Sequence, residues 1–113
     1  MEQLFWIVPL LLAVWFFKSR SGAKTKEAIM AAANGALVVD VRTPQEFAGQ
    51  HYPGAVNIPV DQVQSRLKEF GDKNSPVVVY CQSGGRSAMA KQILESAGFT
   101  KVTNGGGVAD MMR

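Results

Sequence analysis

The chain has 113 residues, 47% of them hydrophobic, with 12 Lys and Arg against 9 Asp and Glu, a net charge of +3. Both excesses lie at one end: residues 4–17 (LFWIVPLLLAVWFF) are non-polar throughout, and Lys18, Arg20, Lys24 and Lys26 follow with only Glu2 against them. The rest is charge-balanced, so the basic pI is no argument for nucleic acid as a partner, and the length leaves about 90 residues for one core rather than a two-domain enzyme.

As a helix, the apolar run of residues 4–17 spans about 21 Å, against about 30 Å of bilayer hydrocarbon. That length suits the core of a signal peptide. The flanks favour an uncleaved anchor instead. The run is preceded by Met-Glu-Gln rather than a basic region, and aromatics stand at both ends (Phe5, Trp6; Trp15, Phe16, Phe17). The basic cluster follows the run, which by the positive-inside rule keeps the C-terminal side in the cytoplasm. Residues 4–17 are therefore expected to contact membrane lipid, with export by a signal peptide as the alternative.

After a polar linker, the pattern predicts a helix from about Thr25 to Asn34, stopped by Gly35. Ala36–Val41 reads as a strand buried on both faces. Residues 42–54 hold Pro44, Gly49, Pro53 and Gly54 and read as loop with one helical turn near Gln45–Ala48. Ala55–Ile58 is a short strand. Val60, Val63, Leu67 and Phe70 recur at helical spacing, closed by Gly71. Val77–Tyr80 is the most strand-like tetrapeptide. Ala90, Ile93, Leu94 and Ala97 predict a helix ending at Gly98. A short strand around Lys101–Thr103, the triplet Gly105–Gly107 and a helical turn follow. Strands alternating with helices imply an α/β fold, a mostly parallel sheet with helices on both faces.

The lone cysteine, Cys81, sits where the Val77–Tyr80 strand ends and the loop Gln82-Ser83-Gly84-Gly85-Arg86 begins. Ligands of open parallel sheets gather beyond the carboxyl ends of strands. Gly84 and Gly85 allow the backbone to curl with N–H groups inward, and the helix starting near Arg86–Ser87 adds its positive terminus. Such a nest favours thiolate over thiol. Arg86 closes the loop and offers paired donors to an oxyanion. A single thiol and a single histidine do not make a structural zinc site, and the methionines show no metal-like arrangement.

Cys81-Gln82-Ser83-Gly84-Gly85-Arg86-Ser87 resembles the active-site loop of single-domain rhodanese-like sulfurtransferases. Asp40-Val-Arg42-Thr-Pro44-Gln-Glu46-Phe47 and His51-Tyr-Pro-Gly54-Ala55-Val-Asn57-Ile-Pro59 are similar to two further signatures of that family, and Val102-Thr-Asn104-Gly-Gly-Gly107 to its C-terminal glycine motif. Two departures stand out. Gln50 precedes the histidine where the family commonly has Gly, and Val108–Met112 lacks the aromatic that often follows the last motif. The resemblance implies a rhodanese-like domain over 25–113; from composition and charge, a basic linker over 19–24 and one apolar helix, the transmembrane anchor or signal-like segment, over 1–18 precede it.

The resemblance further implies a mechanism. Cys81 takes a sulfane sulfur from thiosulfate or a persulfide donor, and a thiol- or cyanide-type acceptor removes it, without metal or organic cofactor. Residues 82–87 are expected to bind substrate, with Arg86 orienting an anionic donor and helping to depress the thiol pKa. Ser87 is equally suited to capping its helix. Asp40 and Arg42 are expected beside the loop as supports, or as an internal ion pair. His51 has a structural place in the family motif. Two other functions compete. Cys-loop phosphatases and arsenate reductases resemble Cys-x5-Arg, one residue longer than the loop here. Non-catalytic rhodanese-like modules that recruit a partner to the membrane typically lose the cysteine. The sequence carries no signal for an oligomeric state.

Overall fold

The computed structural model describes residues 23–113. The expected apolar helix, its anchor or signal role, and most of the basic linker lie outside these residues. Among the described residues no helix is long and apolar enough to cross a membrane. The order is α1 (Thr25–Ala33), β1 (Leu37–Asp40), α2 (Pro44–Gly49), β2 (Val56–Asn57), two 3-10 segments (Val60–Gln62 and Gln64–Phe70), β3 (Val77–Cys81), α3 (Gly85–Ser96), β4 (Val102–Gly107) and α4 (Val108–Met111).

The four strands form one parallel sheet in the order β2-β1-β3-β4. Parallel strands need crossovers, and the crossovers cover both faces, so the central strand carries apolar side chains on each side. All five residues of β3 are buried. On one face Val39, Val41, Val77, Val79 and Cys81 pack with Ala90 and Leu94 of α3 and with Val63 and Phe70. On the other, Val38, Val78 and Tyr80 meet Ala28 of α1, Val108 and Met111 of α4, and Phe47 of α2. This two-period alternation puts Cys81 on the α3 side. It puts Asp40 on the opposite side, where Asp40 pairs in register with Tyr80.

Three elements differ from the sequence expectation. The helix expected from Val60 to Phe70 is two 3-10 segments, with non-helical backbone at Arg66 (φ −124°, ψ 32°). Residues three apart eclipse in a 3-10 turn. Val60 with Val63 and Leu67 with Phe70 therefore each face the core, and the break at Arg66 absorbs the extra residue between the pairs. The strand expected at Lys101–Thr103 runs on through the glycine triplet to Gly107, because β4 must pass close behind the Cys81 loop. Strand β2 is shorter than Ala55–Ile58, and its second residue, Asn57, donates from Nδ2 to the carbonyls of Asp40 (3.0 Å) and Arg42 (2.9 Å).

Candidate active site

Cys81 is the last residue of β3 and is 1% exposed. Three residues later the chain enters α3 through Gly84, whose left-handed backbone (φ 104°, ψ −13°) turns its N–H back onto the Cys81 sulfur at 2.9 Å. That conformation favours glycine. Gly85 has no such constraint: its φ is ordinary, and a Cβ there would meet nothing within 4 Å. The curl expected of both glycines is made by Gly84 alone.

The sulfur rests on donors. Burial pushes the Cys81 thiol up, but the Ser87 hydroxyl and the backbone N–H groups of Ser87, Ser83 and Gly84 outweigh it, leaving the thiol below its ordinary value. Ser87 is fully buried in the first turn of α3 and does not cap it; the N-cap position is Gly84, which has no side chain to accept from the first N–H groups of the helix. The Ser87 hydroxyl lies 3.4 Å from Cys81 Sγ, 3.1 Å from the Gly84 carbonyl and 2.7 Å from Asn104 Oδ1. Asn104, itself 2% exposed, accepts a second bond from the Gly106 N–H (2.9 Å) and donates to the Gly84 carbonyl (3.3 Å). The pattern of β4 thus buttresses the loop from behind. Gly107 completes the support, since a Cβ there would stand 2.6 Å from the Gln82 carbonyl oxygen.

Asp40 and Arg42 form a buried pair at the end of β1, with Arg42 Nη2 and Nε at 2.8 and 3.1 Å from Asp40 Oδ2. The same guanidinium donates from Nη1 to Gln82 Oε1 at 3.1 Å and also reaches the Gln50 carbonyl. The two expected roles therefore coincide: the pair is internal, and it touches the first residue of the loop. Ser83 and Gln82 are exposed at the loop's outer side.

Arg86 forks onto Glu46 of α2, with Nη1 2.7 Å from Oε1 and Nη2 3.0 Å from Oε2. Glu46 is also the N3 partner of a capping box with Thr43, whose N–H donates to Oε1 at 3.0 Å. The Arg86 fork and then the Thr43 N–H hold the Glu46 carboxyl down to about 2. The leading causes that lower the Cys81 thiol are the Ser87 hydroxyl and the loop amides; Arg86 adds through charge, by the same attraction through which Cys81 raises the Arg86 guanidinium. His51 stacks on Phe47 (3.8 Å between centroids, 10° between planes), and its Nδ1 lies 2.8 Å from the Phe47 carbonyl, a packing role. Among the described residues no cluster of three or more His, Cys, Asp or Glu is placed to hold a metal ion.

Sequence reasoning gave no role to Asn104 or Glu46. The Thr43-x-x-Glu46 spacing is a capping-box signal that places the carboxylate on a first helical turn, a signal left unused in that reasoning. Nothing in the spacing indicated that Arg86, forty residues on, would meet it.

The family model for the rhodanese-like domain matches residues 23–109. Thiosulfate sulfurtransferase PspE of Escherichia coli (strain K12) is 43% identical over 74 residues, which cover 65% of this chain and 71% of that protein. Thiosulfate sulfurtransferase GlpE of Pseudomonas entomophila is 34% identical over 77 residues, 68% of this chain and 70% of that one. Among solved structures, a rhodanese with anions from E. coli superposes with a TM-score of 0.64 at 42% identity, covering 67% of this chain and 91% of the other. The human single-domain sulfurtransferase TSTD1 gives a TM-score of 0.68 at 28% identity, covering 80% and 92%.

Proposed function

This chain belongs to the rhodanese-like family and is a sulfurtransferase of the rhodanese type, and from that premise we propose that it works through a persulfide on Cys81, with thiosulfate or a persulfide as donor. The Cys81 thiolate attacks the outer sulfur of the donor. A sulfur–sulfur bond forms to Cys81, the donor's own sulfur–sulfur bond breaks, and sulfite (or a thiolate) leaves with the electron pair. The negative charge moves one atom outward, onto the terminal sulfur in the cradle of loop amides. A thiol or cyanide then attacks that atom and returns Cys81 as thiolate, a two-step covalent path.

The observation that carries this reading is the enclosure of Cys81 Sγ by the Gly84 N–H at 2.9 Å in a residue only 1% exposed. A nucleophile so enclosed suits transfer of a single atom. In-line attack on a phosphate needs a ring of donors for three equatorial oxygens, and only four residues separate Cys81 from Arg86. The test is a paired assay. The chain should form thiocyanate from thiosulfate and cyanide and leave aryl phosphates intact; hydrolysis of the phosphate without thiocyanate formation would contradict the reading.

We also propose that residues 4–17 tether the domain to a membrane with the domain on the cytoplasmic side. The apolar run, its aromatic ends and the basic residues after it support this. Both tryptophans, Trp6 and Trp15, lie in that segment, so tryptophan emission should shift to the blue on mixing the whole chain with lipid vesicles. No shift would contradict the tether.

A further inference from the structure

Two guanidinium groups reach the Cys81 loop, and each already faces a carboxylate. Arg42 is paired with Asp40 and Arg86 with Glu46. The first pair is buried and fixed. In the second, the Arg86 and Glu46 side chains keep 35% and 30% of their exposure, so solvent and solutes reach both. Glu46 meets Arg86 through both oxygens, the geometry a guanidinium also offers to a sulfonate or sulfate. A dianionic donor and Glu46 therefore compete for one fork.

We propose that Glu46 sets donor specificity: by occupying the Arg86 guanidinium it denies dianionic donors such as thiosulfate their anchoring cation and favours persulfides, which need none. This rests on the sulfurtransferase reading for its substrates, but the latch itself is an anion gate that can be measured without sulfur transfer. Displacing Glu46 costs a dianion part of its binding energy at Arg86. A persulfide delivers its terminal sulfur to the loop amides and leaves the latch shut.

Glu46→Gln is the informative variant. Glutamine serves a capping box as well as glutamate, so Oε1 still accepts from the Thr43 N–H. Its NH2 group then stands where Oε2 met Arg86 Nη2, donor against donor, so that prong and the carboxylate charge are lost and only the neutral bond from Nη1 to Oε1 remains to hold Arg86. Sulfur loading of Cys81 is followed by intact mass, from thiosulfate and from the persulfide of 2-mercaptoethanol, whose body is uncharged. In parallel, sulfate is titrated as a protectant of Cys81 against iodoacetamide, a neutral alkylating agent.

The expected result for Glu46→Gln is thiosulfate loading about three- to tenfold faster at subsaturating donor, the scale of a well-aligned, partly exposed ion pair. Persulfide loading should change by much less, and sulfate should protect at a correspondingly lower concentration. With Arg86→Ala added, the gain should vanish. The proposal is overturned if thiosulfate loading and sulfate protection are unchanged or weakened, if both donors gain equally, or if the gain survives Arg86→Ala. If the wild-type chain accepts sulfur from neither donor while sulfate protection still sharpens in Glu46→Gln, the sulfurtransferase reading fails and the gate stands.

Discussion

The Ser87 hydroxyl lies 3.4 Å from Cys81 Sγ and has one hydrogen to give, with two further acceptors in reach, Asn104 Oδ1 at 2.7 Å and the Gly84 carbonyl at 3.1 Å. When the sulfur carries charge, the hydrogen is drawn to it. Asn104 Oδ1 then retains the Gly106 N–H at 2.9 Å and is not left unpaired. Ser87→Ala should therefore cost the thiolate a donor without orphaning Asn104.

A lowered thiol pKa means that reactivity rises at lower pH than for a free cysteine. Removing the Ser87 hydroxyl moves that rise upward, and iodoacetamide alkylation at pH 7 should fall about tenfold, the scale of one hydrogen bond to a charged group. Asn104→Asp should move the profile the same way, because a carboxylate on the shared donor opposes a second negative charge on sulfur. The linkage also bears on stability. A depressed acid group contributes most above its unfolded-state value, and the contribution fades as pH falls through the folded-state value. An unshifted alkylation profile in both variants would remove Ser87 from the account of thiolate formation.

The two loop glycines should separate cleanly. Gly84→Ala forces a side chain into φ 104° and tilts the N–H that holds the sulfur. It should destabilise the fold by about 1–2 kcal/mol and lower sulfur transfer. Gly85→Ala sits in a helix with open space around its Cβ, so it should fold at least as stably, by up to about 1 kcal/mol. Thermal unfolding and the thiocyanate assay on both variants check this; equal effects would contradict it.

Gly107 tests the support behind the loop. An added Cβ would lie 2.6 Å from the Gln82 carbonyl oxygen, backbone against side chain, with no flexible atom to yield. Gly107→Ala should destabilise by about 1–3 kcal/mol and reduce activity through displacement of Gln82. Melting temperature and thiocyanate formation should fall together.

Gln82 lies on the other side of that support. Gln82→Ala removes the Oε1 acceptor of Arg42 but leaves the Arg42–Asp40 pair intact. As an exposed position it should change stability by no more than about 0.5 kcal/mol while lowering kcat/KM. A large loss of stability with unchanged turnover would reverse the roles assigned to the pair and the loop.

The parts of this molecule legible in the sequence are those encoded locally. The unbroken apolar run Val77–Cys81, the Gly84 turn and the α3 spacing place Cys81 at the carboxyl end of a central strand without reference to anything distant. The Asp40-Val-Arg42 signature located a support for the loop. The rest depends on contacts between remote residues. Asn104 is an ordinary polar residue beside a glycine triplet until β4 folds behind Ser87. Glu46 is a helix cap until α3 brings Arg86 to it. The 3-10 segments carry the same apolar spacing as an α-helix, and the break at Arg66 decides between them.

The central claim is that Cys81 itself carries the transferred sulfur, and intact mass tests it most directly. The whole chain incubated with thiosulfate and freed of excess donor should gain the mass of one sulfur atom, lose it on addition of cyanide, and show neither change in Cys81→Ser. Turnover of thiosulfate and cyanide by Cys81→Ser, or sulfur gained elsewhere in the chain, would contradict the account.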